Sequence, residues 1–210
     1  IAYSENLSDE EILNHFLEAK IPDDVWEDLR AFVNVINTPI AVRSSSLLED
    51  AHYQPFAGVY STYMVPNNKD DVKSTLMKLG EAIKAVYASV YYSGSRSYMT
   101  ATKNVISREK MAVVLQEVCG KAYGDRFYPS FSGVARSLNY YPIGDEKPED
   151  GVVNVALGLG KYIVDGGQTL RFSPKHPHNI LQTSSLEFAL NETQTYFNAL
   201  DISADTFKPL

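Results

Sequence analysis

At residues 40–46 the chain reads IAVRSSS, an apolar run that becomes polar at Arg43. Short runs of β-prone residues favour strands, so we predict a buried strand over the first three residues. A charge directly after a buried strand is costly unless it has a partner. The Arg43 guanidinium fits phosphate oxygens, and the hydroxyls from Ser44 onward supply donors. Glu49 and Asp50 could instead form a structural ion pair with it, and both roles stay open on spacing alone.

A glycine motif follows at residues 56–62, which read FAGVYST. Gly58 would let the backbone approach a ligand closely, because it has no side chain. Ser61 and Thr62 could donate to phosphate or lie near a metal ion. A glycine turn before a strand explains the same residues. The motif is not a P-loop, because no Gly-Lys-Ser/Thr sequence follows.

Two further segments have the composition of ligand-binding loops or strand ends. An apolar run closes at Gln116, Glu117 and Val118. A strand that stops at a polar pair offers backbone groups to a flat heterocycle, and Glu117 could meet a ribose hydroxyl. Residues 158–160 read GLG and residues 166–167 read GG, which suits a tight turn or a loop over a ligand. The third glycine and the helix of a dinucleotide fingerprint are lacking.

The histidines and the single cysteine form no catalytic pattern. His176 and His178 could hold a metal, but no Cys or acidic residue lies close to them in sequence. Cys119 is alone, so it cannot form an internal disulfide. No nucleophile elbow or zinc helix motif is present. Arginine and hydroxyls without a nucleophile indicate phosphate handling, where positioning and charge neutralisation supply most of the catalysis.

Composition excludes several classes of partner. The 210 residues suffice for one domain or two small ones, and 44% are hydrophobic and 21% charged. A formal net charge of −7 gives no overall electrostatic footprint for nucleic acid and leaves only a local basic cleft open. No apolar run approaches the roughly 20 residues that span a bilayer. We therefore expect a cytoplasmic protein with neither nucleic acid nor membrane as partner.

Helix and strand patterns are unevenly distributed along the chain. Helices are predicted from a capping box at Ser8, from Pro22, after a cap at Asn68 or Asp70, and over residues 184–200. Strands are predicted over residues 59–65, 111–118, 131–137, 152–157 and 169–172. Helices therefore dominate the first half and strands the second. This distribution predicts an α+β fold with a mainly antiparallel second half.

These blocks occur in an order that resembles a known family. The series comprises AVRSSSLLEDA (41–51), PFAGVYSTYM (55–64), VLQEV (114–118), SGVA (132–135) and GLGKYIVDGG (158–167). It resembles the N-terminal nucleotide-binding domain of phosphoenolpyruvate synthase and pyruvate phosphate dikinase. Each block alone is modest, but their order makes the match specific.

The resemblance implies an ATP-grasp fold, in which ATP lies between two α+β lobes. It implies an incomplete domain over residues 1–210, with the lobes dividing near residues 105–110. Arg43, with Ser44 beside it, would hold ATP phosphates. The loop containing Gly58, Ser61 and Thr62 would cover them, and the adenine-side strand would be Gln116 to Val118. Arg96 would stand for the family's second phosphate arginine, which makes Arg43 and Arg96 the expected catalytic pair.

The implied activity is ATP-dependent phosphotransfer. Phosphate would pass from ATP, with Mg²⁺ as a further cofactor, to a histidine on another domain and then to pyruvate. The phosphohistidine and pyruvate-binding domains would belong to the same full-length chain and lie outside these residues. Three alternatives remain: a related dikinase whose acceptor is an antibiotic or a glucan, a non-catalytic nucleotide-binding or regulatory module, and an α+β domain that binds no nucleotide.

Two departures from the family pattern bear on activity. Lys161 follows Gly-Leu-Gly where the family usually has Glu, so the charge is reversed. The family's lysine-bearing segment and its metal ligands have no match here, and the metal ligands stay unassigned. None of the four histidines resembles the phosphohistidine segment. We therefore expect that these 210 residues alone do not transfer phosphate.

Overall fold

The computed structural model describes residues 7–47, 49, 58–102 and 109–203. The chain divides into two compact units. The first unit covers the described residues up to Val118, and the second unit is Cys119–Ser203. Both contain helices and small antiparallel sheets, so the predicted α+β class is confirmed. Within the described ranges, no helix is long and apolar enough to cross a membrane.

The described part of the first unit contains the α-helices α1 (Asp9–Glu18), α2 (Asp23–Val35), α3 (Val72–Ser89) and α4 (Ser93–Ala101). The predicted capping box is present, since Glu11 Oε2 accepts from Ser8 N at 2.8 Å and Ser8 Oγ accepts from Glu11 N at 3.3 Å. The predicted cap of α3 is wrong. Asn68 caps a preceding 3-10 turn, and Asp71 caps α3 by accepting from Ser74 N at 2.9 Å.

The sheet of the first unit has the order β2-β1-β3, all antiparallel: β2 is Tyr63–Val65, β1 is Ile40–Ser46 and β3 is Met111–Glu117. β1 is longer than predicted, because its pairing with β3 continues from Ile40 opposite Glu117 to Ser46 opposite Met111. Arg43 therefore lies in the middle of a strand and not after its end. β2, in turn, is shorter than the predicted strand over 59–65.

The core of the first unit covers one face of this sheet. Ile40 and Val42 of β1 are completely buried and pack with Leu79 of α3 and Val33 of α2. Because successive strand residues point to opposite faces, Arg43 lies on the other face. Burying one such aliphatic side chain stabilises the fold by about 1.5–3 kcal/mol. The packed face thus fixes β1, and on the opposite face Arg43 is exposed while Ala41 is buried.

The second unit contains two three-stranded antiparallel sheets. One has the order β4-β5-β9, with β4 at Lys121–Tyr123, β5 at Arg126–Tyr128 and β9 at Leu200–Asp201. The other has the order β6-β7-β8, with β6 at Ser132–Arg136, β7 at Val152–Ala156 and β8 at Leu170–Phe172. These pairings confirm the predicted antiparallel second half. Two short helices complete the unit, α5 (Lys161–Val164) and α6 (Leu186–Asn191).

The predicted helix over residues 184–200 is mostly wrong. Only α6 is helical, because the following residues hydrogen-bond to the end of β7 instead. Gln194 Oε1 accepts from Leu157 N at 2.7 Å, and its Nε2 donates to Leu157 O at 3.0 Å. The chain then enters β9, which pairs with β5. The hairpin of β4 and β5 was not predicted.

A charged insertion that includes residues 145–150 separates β6 from β7. It is built on Asn139, of which 1% is exposed. Asn139 Nδ2 donates to Glu146 Oε2 at 3.0 Å, and Arg171 Nη2 donates to Asn139 Oδ1 at 2.6 Å. The network satisfies buried polar groups that would otherwise cost stability.

Candidate functional site

The centre of the candidate site is Arg43 on the open face of the first unit's sheet. Its Nη1 donates to Gln116 Oε1 at 3.2 Å. Arg43 stands opposite Val114, while Gln116 stands opposite Ala41, so the two side chains are diagonal neighbours on one face. The side chains of Arg43, Val114 and Gln116 are all exposed. The structure therefore brings together two residues that are distant in sequence and that were both predicted to bind a ligand.

The alternative partner of Arg43 is engaged elsewhere. Glu49 Oε1 accepts from Ser44 Oγ at 2.9 Å, and its Oε2 accepts from Ser46 N at 2.9 Å. Glu49 N in turn donates to Ser46 Oγ at 3.1 Å. Within the described residues, Arg43 forms no ion pair, and Asp50 lies outside them. The hydroxyl of Ser44 thus donates to Glu49, while the Arg43 guanidinium, as far as the structure describes the chain, donates to the Gln116 amide oxygen.

The end of β3 is fixed by the residues that precede β1. Glu117 Oε1 accepts from Thr38 Oγ1 at 2.9 Å. Val118 N donates to Pro39 O at 2.9 Å, and the Val118 side chain is buried. The N–H of Val118 is therefore not a free donor for a heterocycle. The second carboxylate oxygen of Glu117 has no hydrogen bond within the described residues.

The glycine motif is described from Gly58 onward. Gly58 has φ +82°, a backbone conformation that L side chains rarely adopt, and a Cβ added to it would meet no atom of the described residues within 4 Å. Ser61 N donates to Ser89 Oγ at 3.3 Å, and Ser95 Oγ donates to Val59 O at 3.4 Å. These two hydrogen bonds hold the loop against the end of α3 and the beginning of α4. Thr62, next in sequence, is exposed.

Sequence reasoning missed two residues that support this loop. Tyr60 is 5% exposed, and its hydroxyl reaches Glu109. No local pattern signals this contact, because the two residues lie 49 positions apart. Ser89 was also missed, since a serine within a helical pattern has no distinct sequence signal.

Arg96 lies on α4 and is directed to the beginning of α1. Among its contacts, its Nη2 donates to Leu7 O at 3.4 Å. The N-terminus of α4 meets the same region, since Ser93 N donates to Asp9 Oδ1 at 2.7 Å and Ser93 Oγ to Asp9 Oδ2 at 2.9 Å. A carboxylate therefore occupies the position where a helix N-terminus attracts an anion.

In the second unit, Lys161 begins α5 at the glycine segment. Its Nζ lies 2.9 Å from Asp165 Oδ2, and both side chains are largely exposed. Such a surface pair contributes little to stability. Gly158, at φ +79°, approaches Asn198 so closely that a Cβ would lie 2.6 Å from its carbonyl oxygen. The segment is thus a packed turn around an exposed lysine.

The histidine pair is not a metal site in the described part of the chain. His176 Nε2 lies 3.5 Å from Asp150 Oδ2, which is an acidic neighbour that spacing did not reveal. Lys175 Nζ occupies the other oxygen at 2.8 Å. Among the described residues, no group of three or more His, Cys, Asp or Glu could hold a metal ion.

Comparison with known proteins defines the class to which this fold and site belong. The model of the pyruvate phosphate dikinase AMP/ATP-binding domain family matches residues 4–196. The chain therefore belongs to this family, and the resemblance seen in the ordered blocks is confirmed.

Two curated relatives are similar to the chain over part of their length. It is 30% identical over 147 residues to a phosphoenolpyruvate synthase from Aeropyrum pernix, covering 70% of this chain and 16% of that protein. It is 28% identical over 130 residues to the uncharacterized phosphotransferase YvkC from Bacillus subtilis, covering 62% of this chain and 14% of that protein. The matched region thus spans less than a fifth of either relative.

Proposed function

We propose that this chain is the ATP-binding part of a phosphotransferase of the phosphoenolpyruvate synthase and pyruvate phosphate dikinase type, built as part of an ATP-grasp domain. The observation that carries the proposal is Arg43, an exposed cation without an ion pair in the described chain, held by Gln116 on the open face of its sheet. Membership of an AMP/ATP-binding family supports a phosphate ligand for it.

Arg43 binds the ATP phosphates in this proposal. Its planar guanidinium can donate two parallel hydrogen bonds to phosphate oxygens, which a lysine cannot reproduce. Gln116 accepts from Nη1 and so orients the fork toward the open face. A charge-assisted contact of this kind contributes about 1.5–3 kcal/mol. Ser44 acts indirectly, because its hydroxyl holds Glu49 beside the strand.

The loop that begins at Gly58 lies over the phosphates. Ser61 fixes its path through the hydrogen bond to Ser89, so Ser61 positions the loop. Thr62 is exposed and supplies the hydroxyl that meets a phosphate oxygen. The positive φ of Gly58 sets the direction in which the chain enters the loop.

The end of β3 serves the nucleoside. Thr38 occupies one oxygen of Glu117, so the second oxygen accepts from a ribose hydroxyl. The N–H of Val118 bonds to Pro39, so its role is restricted to apolar contact and to its carbonyl. Arg96 is proposed as the second phosphate arginine, which requires its guanidinium to leave the Leu7 carbonyl.

ATP supplies the phosphoryl group that is transferred, and the residues above fit its phosphates and ribose. Mg²⁺ is a different case. The described residues contain no cluster of acidic or histidine ligands, so no step here is assigned to a metal. Transfer to a histidine of another domain and then to pyruvate is proposed by analogy with the relative that is named a phosphoenolpyruvate synthase. Cytoplasmic location, the lack of nucleic-acid and membrane partners, and inactivity of residues 1–210 alone stay predictions.

One observation favours a second candidate, a nucleotide-binding module without transfer activity. Lys161 stands where the family pattern has a carboxylate, and its charge is tied to Asp165. If the missing carboxylate acts in transfer, the chain binds nucleotide and transfers nothing. The variant Lys161→Glu restores the carboxylate and so separates the two candidates. Phosphate transfer should rise in this variant if the wild type only binds nucleotide, and should stay the same if the wild type already transfers phosphate.

Calorimetry with ATP tests the main proposal. Wild-type protein is compared with Arg43→Ala and with the matched control Arg30→Ala, which removes an exposed arginine of α2. We expect Arg43→Ala to lose about 1.5–3 kcal/mol of ATP binding free energy and Arg30→Ala to bind as wild type. Equal ATP affinities in all three proteins would overturn the assignment of Arg43.

A further inference from the structure

An aromatic groove lies on the hairpin of β4 and β5 in the second unit. Its volume is about 330 Å³, and it is lined by Lys121, Tyr123 and Tyr128 of the hairpin and by residues 129–131. This volume is at the lower end of the range for small-molecule sites. The residues lie between the sequence blocks that carry the family resemblance, so the roles already proposed do not include them.

The register of the hairpin places both of its tyrosines on one face. Lys121 stands opposite Tyr128 and Tyr123 opposite Arg126, so these four residues share a face. Phe127 points to the other face and is 5% exposed. The packed face therefore anchors the hairpin while the groove face stays accessible.

The rings are arranged as a platform. Tyr123 and Tyr128 stack with ring centroids 4.5 Å apart and an interplanar angle of 23°. Tyr128 also packs against Phe197, with the ring centroids 4.9 Å apart, and this contact fixes the Tyr128 ring. Tyr123 is 47% exposed and Phe131 is 68% exposed. Large exposed rings of this kind offer flat surfaces on which a planar ligand can stack.

The charges around the groove favour an anionic ligand. Arg126 is already paired with Asp201, with 2.6 Å between Nη1 and Oδ2. Lys121 is exposed and has no ion pair in the part of the chain that the structure describes. An unpaired ammonium beside stacked rings complements a ligand with a planar ring and a phosphate.

We propose that this groove binds a purine nucleotide, with the base stacked on Tyr123 and Phe131 and the phosphate near Lys121. The ligand class is that of the family to which the chain belongs, an AMP/ATP-binding family. The groove itself lies within the second unit and does not use Arg43, so it goes beyond the proposed function.

Adenosine and AMP are the probes, measured by calorimetry on the protein as its gene encodes it. Tyr123→Ala removes one of the two stacked rings and is expected to lower the affinity for adenosine and for AMP about tenfold. Tyr123→Phe keeps the ring and is expected to bind as wild type. Lys121→Ala is expected to weaken AMP and leave adenosine unchanged, because only AMP carries the phosphate. Tyr140→Ala is the matched control, since Tyr140 is 69% exposed and lies outside the groove.

The outcomes separate this inference from the proposed function. Any of three results would overturn the proposed groove. Tyr123→Ala could bind adenosine and AMP with wild-type affinity, Tyr140→Ala could lose as much affinity as Tyr123→Ala, or the wild type could bind neither ligand. Loss of ATP binding in Arg43→Ala alone then leaves the proposed function standing. If Tyr123→Ala weakens adenosine while Arg43→Ala binds ATP normally, the groove stands and the phosphate role of Arg43 falls.

Discussion

The hydroxyl of Tyr60 donates to Oε2 of Glu109 at 2.8 Å. The other oxygen of Glu109 accepts from Leu47 N at 3.1 Å, just beyond the end of β1. One carboxylate thus ties the loop after Gly58 to the strand that carries Arg43. Burial, and then the hydrogen bond to Glu109, raises the pKa of Tyr60 far above its ordinary value, so the phenol stays a donor at every physiological pH.

Tyr60→Phe is therefore expected to loosen the loop. The change removes one hydrogen bond to a charged, partly buried group, which corresponds to about 1.5–3 kcal/mol of unfolding free energy. ATP affinity should fall in parallel, because the loop loses its fixed distance from β1. Urea denaturation and ATP calorimetry measure the two effects. Tyr87→Phe, on the exposed side of α3, serves as the control, and an unchanged denaturation midpoint for Tyr60→Phe would contradict the prediction.

Gln116→Leu tests whether Gln116 orients Arg43. The side chain is exposed, so the free energy of unfolding should change by less than about 0.5 kcal/mol. ATP affinity should fall by about 0.5–1.5 kcal/mol, the usual contribution of one hydrogen bond. A double-mutant cycle with Arg43→Ala gives the decisive comparison. If Gln116→Leu costs as much in the Arg43→Ala background as in wild type, the two residues do not act together.

Gly58 tests the backbone of the loop. Its φ of +82° is unfavourable for residues with a side chain by roughly 1–2 kcal/mol, although none of the neighbours that the structure describes would clash with a Cβ. Gly58→Val is expected to weaken ATP binding while the circular dichroism spectrum stays that of wild type. Gly58→Asn should retain most of the affinity, because Asn tolerates this conformation. Unfolding of the valine variant would instead assign Gly58 a purely structural role.

Asp150 makes the stability of the second unit depend on pH. The hydrogen bond from Lys175, followed by that from Lys147 N, lowers the pKa of Asp150 below its ordinary 3.8. Its contribution to stability is therefore present above pH 3.8 and is lost as the pH falls through the lower folded value. The same pair raises the pKa of Lys175 above 10.5, so that contribution is present below pH 10.5 and lost as the pH rises through the folded value.

Thermal unfolding across this range checks the sign. Between the two ordinary pKa values, Asp150→Asn and Lys175→Met should each unfold at a lower temperature than wild type. The gap between Asp150→Asn and wild type should close in acid. A gap that widens as the pH falls below 3.8 is incompatible with the ion pair as described.

Short sequence motifs predicted the elements whose hydrogen bonds form between residues close in sequence. The capping box at Ser8 located α1, because both of its hydrogen bonds are formed within one turn. The end of β1 could not be predicted, since pairing with β3 decides it and β3 lies some seventy residues further along the chain. The helix predicted over residues 184–200 is mostly wrong for a similar reason. The Gln194 side chain hydrogen-bonds to the backbone of Leu157, and the chain there is not helical.

The candidate site was predictable in its residue types and not in its connections. An arginine among hydroxyls and a later polar pair pointed to Arg43 and Gln116, and the structure places them in contact. The alternative pairing with Glu49 was also open on spacing, but Ser44 and Ser46 donate to both of its carboxylate oxygens. The contact of Tyr60 with Glu109 has no counterpart in any short pattern. The division of lobes near residues 105–110 stays a prediction.

The two faces of β1 should tolerate substitution to different degrees. Ile40 and Val42 are held by the core, so substitutions there are filtered by folding. Arg43 alternates with those positions and lies on the exposed face, beside Val114 and Gln116 of β3, so replacing these three side chains leaves the core packing intact. A library randomised at these three exposed positions would vary ligand preference at nearly constant stability. On the proposed role of Arg43, changes in ligand recognition on this face would cost little folding stability, which makes the strand a convenient place to engineer new specificity.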